Sequence, residues 1–141
     1  MNDPDQTRSQ WLDAADWFAK GDEDIRATDL LLSADPPLID LAAFHCQQAA
    51  EKLIKALLVA AAARVPRIHD LEALSSLASP YYPQLALQMR EFGPATAWLA
   101  RSRYPSGLTD GVGVDGQEVV DILASIKAFR LEASALAPFP V

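Results

Sequence analysis

The stretch from about Pro37 to Ala63 constrains the fold more than any other part of the chain. It is mostly Ala and Leu, both strong helix formers, and it stops at Arg64-Val65-Pro66-Arg67, where proline ends helical pairing. Advancing about 100° per residue from His45 puts Lys52 near −20°, Gln48 near −60° and Lys55 near −80°. Leu53, Cys46, Leu57, Ala50, Ala61 and Ile54 fall on the other side, between about 80° and 180°. The spacing therefore predicts one long amphipathic helix with a narrow polar stripe of imidazole, amide and two ammonium groups. Glu51 stands four residues before Lys55, close enough to pair with it.

The rest of the chain reads as helices of the same kind. Residues 1–8 are polar and predict a disordered tail, followed by a single domain over 9–141. Ala14, Ala15, Phe18, Ile25 and Leu32 set a helical period from Trp11 to Leu32, with Gly21 as a place to bend or break. Asp35-Pro36-Pro37 is a stop. A short helix is expected over Asp70–Ala78, with Asp70 as its cap, and a longer one over Gln84–Leu99, flawed at Gly93-Pro94. Residues 104–116 predict a loop, and Gln117–Leu136 a last helix. β-branched residues are few. The expected architecture is all-α: an antiparallel four-helix bundle core with one additional short helix.

Composition excludes several classes. No apolar run reaches the roughly 18 residues of a membrane span, and the opening "MNDPDQTRSQ" lacks an apolar signal core, so a cytoplasmic protein with no membrane partner is expected. A single cysteine, Cys46, forbids an internal disulfide, and two isolated histidines make no metal site; no metal and no cofactor are expected. The net charge of −7 is concentrated in residues 1–35, which hold nine acids and three bases. Lys52 to Arg103 carries seven bases against three acids. That balance lacks a large nucleic-acid footprint but leaves room for a small anionic ligand. There is no Walker-type phosphate loop and no dinucleotide fingerprint.

Four strings, in order, resemble the HEPN (higher eukaryotes and prokaryotes nucleotide-binding) domain family. They are "WFAKGDEDIRATDLLL", with Trp17 seven residues before Asp24; "AFHCQQAAEKLIKALL"; "PRIHDLEALSSL"; and "SRYPSG". The resemblance covers about Trp11 to Leu136. It implies a helical bundle, commonly a homodimer, with a role in nucleotide or RNA transactions. It also implies pairing with a small nucleotidyltransferase, in some members as toxin and antitoxin. Ribonuclease members of the wider family carry an Arg followed, four to six residues later, by a His near the last core helix. Here the matching region is Arg101-Ser102-Arg103-Tyr104-Pro105, and no histidine follows it. Arg64 and His69 have that spacing but lie after the second helix, so they are weak catalytic candidates.

The candidate nucleotide-binding residues are Lys52, Lys55, Arg101, Arg103 and Tyr104, with His45, Gln48 and His69 in support. Arg takes phosphate in a bidentate fork, Lys supplies a point charge, and Tyr stacks on a base. Three functions stay open at this stage. One is a module that binds a nucleotide or a nucleotidyltransferase partner. Another is a metal-independent ribonuclease using Arg64 or Arg103 with His69. The last is a purely structural dimerisation or interaction module, in which the stripe of the second helix is an interface or plain solvated surface.

Overall fold

The computed structural model describes residues 3–105 and 113–141. Its elements are helices throughout: α1 (Pro4–Leu32), α2 (Ile39–Ala60), α3 (Leu71–Ala78), α4 (Ala86–Glu91), α5 (Trp98–Arg103) and α6 (Gly116–Ser134). Two 3₁₀ segments, Pro83–Leu85 and Gly93–Ala97, flank α4. No strand occurs among the described residues. The all-α expectation holds, and the arrangement is a helical bundle.

Helix α2 is the centre of it. Fourteen of its 22 residues are buried, on more than one side, so it is enclosed by neighbours and is not a surface helix. It packs along α1 and meets α3, α5 and α6. Leu53, Ile54 and Leu57 from α2 join Phe18 of α1, Met89 of α4, Phe92, and Ile126 and Phe129 of α6 in one core. The Phe92 and Phe129 rings meet edge to face, with centroids 5.3 Å apart. At the far side of α1, Arg130 of α6 lies 4.6 Å from the centre of the Phe18 ring and grips Asp22 with two nitrogens at 2.7 and 3.0 Å. This bidentate pair fixes α6 against α1.

The bend or break expected at Gly21 is not observed; α1 runs unbroken through it. The glycine serves packing instead. A Cβ built there would lie 2.8 Å from Leu53 Cδ2 and 3.2 Å from Leu53 Cγ, so the missing side chain is what lets α1 approach α2. The lost helix propensity, about 1 kcal/mol relative to Ala, is offset by that contact. Helix α1 begins at Pro4, inside the stretch read above as a tail. Asp3 caps it by accepting from the Asp5 amide, and Pro4 occupies a first-turn position where no donor is needed.

Helix α2 ends earlier than the sequence indicated, at Ala60 and not Ala63. Ala62 takes a left-handed conformation (φ 54°), and the Ala63 amide bonds back to the Leu58 carbonyl at 2.9 Å. This closes the helix in the manner usually served by glycine. The single long helix expected over 84–99 is replaced by α4, the 3₁₀ turn at Gly93–Ala97 and α5. Pro94 cannot donate to an α-helical ladder, and Phe92 and Ala95 turn into the core at that point. The chain therefore changes direction at Gly93-Pro94, and α5 is delivered beside α2. Asp70 caps α3 as expected, accepting from the Glu72 and Ala73 amides at 3.0 and 3.3 Å. Part of the 104–116 loop lies outside the described residues.

Two predictions come from this packing. Gly21→Val should destabilise the fold by about 1–3 kcal/mol, read as a lowered denaturant midpoint, because the fully buried Leu53 blocks the added atoms. The second concerns pH. Burial pushes the Cys46 thiol up from 9.0 to about 12 and the Tyr82 phenol from 10.0 to about 12. In that window the native chain holds protons that the unfolded chain has lost, so stability falls as pH rises. Neither group contributes below its unfolded value. Denaturant titrations between pH 9 and pH 12 should show the decline, and Cys46→Ala should make it shallower.

Candidate functional site

The polar stripe of α2 is not a freely solvated face. It is turned toward α1 and toward the segment after α2, and each of its charges is met by a buried carboxylate. Asp24, 7% exposed on α1, receives His45 Nδ1 at 2.8 Å on Oδ1 and the Lys52 ammonium on Oδ2. Glu51, 5% exposed on α2 itself, receives Lys55 Nζ at 2.7 Å on Oε1. It also faces His69 Nδ1, at 3.0 Å from Oε1 and 3.1 Å from Oε2. Each carboxylate is thus shared by one lysine and one histidine.

Two glutamines complete the second cluster. Gln47, fully buried, donates through Nε2 to the His69 carbonyl at 3.1 Å and lies 3.4 Å from Glu51 Oε2. Gln48 donates to Gln47 Oε1 at 2.7 Å. Glu51 is therefore surrounded by donors from Lys55, His69, Gln47 and Gln48. Desolvation of the carboxylate would be unfavourable without them. The same contacts tie residues 61–70 back onto α2, with the Leu71 amide held by Thr96 Oγ1 at 3.0 Å.

The remaining candidates lie at the end of α5. Arg101 is half-buried and lines a cleft of about 480 Å³ with Pro94, Ala97, Trp98, Glu118, Asp121 and Ile122, between α5 and α6. Arg103 is exposed, with its guanidinium carbon 5.5 Å from the centre of the Phe44 ring. Phe44 meets the His45 imidazole edge to face at 5.3 Å. Tyr104 is exposed and ends α5 in an extended conformation. Phe44 thus links the α5 group to the Asp24 cluster: Arg103, Phe44, His45, Asp24 and Lys52 form a continuous line of contacts. A smaller cleft of about 190 Å³, lined by Asp16, Trp17, Lys20 and Lys52, opens beside it.

Arg64 is exposed and forms no ion pair or hydrogen bond among the described residues, so the Arg64–His69 spacing corresponds to no contact. Among the described residues no group of three or more His, Cys, Asp or Glu side chains is placed to hold a metal ion. Four residues central to the geometry, Asp24, Glu51, Gln47 and Phe44, are absent from the binding set drawn from the sequence. Asp24 had a signal. It falls in the row Ala14, Phe18, Gly21, Thr28 of buried α1 positions, where an acid needs a partner. Gln47 lies four residues before Glu51, as Glu51 does before Lys55, so the row 47–51–55 was also readable.

Fold and site together define an all-helical bundle protein whose central helix carries two buried carboxylate clusters. A family model for the HEPN domain matches residues 14–133, nearly the whole chain. The chain belongs to the HEPN domain family. No curated protein and no solved structure gave a match. Within the described residues no helix is long and apolar enough to cross a membrane.

The clusters carry a stability prediction. Glu51→Ala would strand Lys55, whose side chain is 8% exposed, and should cost about 3–5 kcal/mol in chemical denaturation. The double variant Glu51→Leu/Lys55→Met should cost less than Glu51→Ala alone, since no unpaired buried charge is left.

Proposed function

We propose that this domain binds a nucleotide, or a nucleotide-handling protein partner, at the edge formed by α5 and α2. The observation that carries this reading is the line Arg103–Phe44–His45. An exposed guanidinium rests on an aromatic ring, and that ring abuts an imidazole held by Asp24. Arg103 is free to offer its fork to phosphate oxygens while Phe44 fixes its plane. Tyr104, exposed at the next position, supplies a face for a base. The likeness to a family named for nucleotide binding agrees with this chemistry.

Lys52 and Lys55 take a different part in it from Arg103. Both ammonium groups are engaged by carboxylates, Lys55 deep in the structure, so they set the local field and hold the helix surface. The ligand-contacting role falls to Arg103 and Tyr104, with Arg101 beside them. A small nucleotidyltransferase that presents a bound nucleotide to this edge, in a paired toxin–antitoxin arrangement or in another, would use the same groups. So would a second copy of this chain placed across it.

Thermal unfolding against mono-, di- and triphosphate nucleotides, with and without Mg²⁺, tests the reading. A ligand at 100 times its dissociation constant stabilises by about 2.7 kcal/mol. We expect a clear shift from at least one nucleotide. Arg103→Ala should abolish that shift and leave the unliganded melting temperature unchanged, because the residue is exposed. A shift that persists in Arg103→Ala places the ligand elsewhere. No shift from any nucleotide, alone or with the co-purified partner, overturns the proposal.

A further inference from the structure

The Glu51–His69 pair has a property the binding reading does not use. A carboxylate only accepts hydrogen bonds, so the imidazole nitrogen that faces Glu51 at 3.0 and 3.1 Å carries the hydrogen. In the neutral ring the lone pair is then left on Nε2. The His69 side chain is 66% exposed, and Nε2 has no hydrogen-bond partner among the described residues. The cluster favours this orientation, because Glu51 is itself held by Lys55 and Gln48, and Gln47 holds the His69 carbonyl. The result is an oriented imidazole with a buried carboxylate behind it and a nucleophilic nitrogen in front. His45 sits on Asp24 in a comparable way, but it is only 33% exposed and packs against Phe44.

The surroundings of His69 select the electrophile. The segment from Ala61 to Asp70 carries Arg64 and Arg67, both exposed, and one acid, Asp70, whose carboxylate is engaged as the cap of α3. The two arginines leave this segment with a net positive charge, which favours an anionic partner over a cationic one. We propose that His69 is a phosphoryl-accepting histidine, which takes a phosphoryl group from a small anionic donor onto Nε2. The Nε2 electron pair attacks phosphorus, the bond from phosphorus to the leaving group breaks, and the leaving group departs with that pair. The ring becomes an N-phosphorylated imidazolium. Its positive charge stays beside Glu51, to which Nδ1–H remains bonded, so the carboxylate stabilises the charge as it forms. Glu51 acts here as a positioning residue. This site is distinct from the α5 edge and does not depend on it.

Phosphoramidate serves as the probe. In its zwitterionic form it transfers the phosphoryl group to nitrogen and releases ammonia, with no further reactant. The intact protein is labelled beside N-acetylhistidine at equal concentration, and the adduct is located by peptide mass spectrometry under non-acidic conditions. His69 should be labelled at least about tenfold faster than N-acetylhistidine, in keeping with what an oriented partner group contributes. His45 should stay unlabelled on that timescale. In His69→Gln the adduct should be lost. Arg64→Ala/Arg67→Ala should slow labelling of an intact Glu51–His69 pair. Labelling of His69 no faster than that of N-acetylhistidine would overturn the proposal, and so would label carried by His45. A rate unchanged in the double arginine variant would overturn the assignment to anionic donors.

Discussion

Two carboxylates are buried in this domain, and the arrangement of its central helix follows from the need to satisfy them. Asp24 reaches α2 from α1, and Glu51 stands on α2. A desolvated carboxylate is tolerable only when cations and N–H donors surround it. Helix α2 supplies most of these: His45 and Lys52 for Asp24, and Lys55, Gln47 and Gln48 for Glu51, with His69 added by the following segment. The polar residues of α2 are thus spent inward. They lock the rotation of α2 against α1, which a purely apolar Ala/Leu interface would leave loosely specified. Gly21 then permits the two backbones to come close, with Leu53 filling the space a side chain would take.

This arrangement separates two kinds of basic residue, one on α2 and one on α5. Lys55 is enclosed and its charge is compensated within the fold, so truncation there would be felt first as lost stability. Arg103 is exposed and held by an aromatic face, so truncation there would leave the core untouched. Lys52 and His45 lie between these limits, part-buried on Asp24 yet adjacent to Phe44 and the small cleft beside Trp17. A string of residues recognisable as a family signature can therefore hold enclosed and exposed side chains side by side. The Trp17–Asp24 spacing illustrates the first: Asp24 earns its place by what it does for α2.

The sequence was most legible where one face of a helix decides the outcome. The apolar side of α2, the Asp70 cap and the all-α class were all readable from period and residue type. The polar side of α2 was not. A helical wheel shows that His45, Gln48, Lys52 and Lys55 align, but the same alignment describes a solvated face and a buried ion-pair seam. Only the position of Asp24, in the middle of a buried row of α1, distinguishes them, and that requires reading two helices together. The segment after Tyr82 was legible in part: the flaw read at Gly93-Pro94 is where the helix divides. Its residues have helical propensity through Leu99, yet Pro94 and the inward turn of Phe92 and Ala95 divide it. Local propensity marks the break at Gly93 and Pro94, but the direction the chain takes after it is set by tertiary contacts.

That division has a consequence for the edge where α5 meets α2. An uninterrupted helix over 84–99 would carry its C-terminal residues along one straight axis. The 3₁₀ turn at Gly93–Ala97 redirects the chain so that α5 lies on α2, and Arg103 comes to rest over Phe44. The position of the guanidinium thus depends on a backbone break far from it in character, made by a proline and a glycine. The ion-pair clusters fix the other half, since Phe44 precedes His45 and turns with it as Asp24 holds the ring. The geometry of this edge is accordingly set by two independent constraints, one on each helix. Loosening either one moves Arg103 relative to Phe44 without touching the arginine itself.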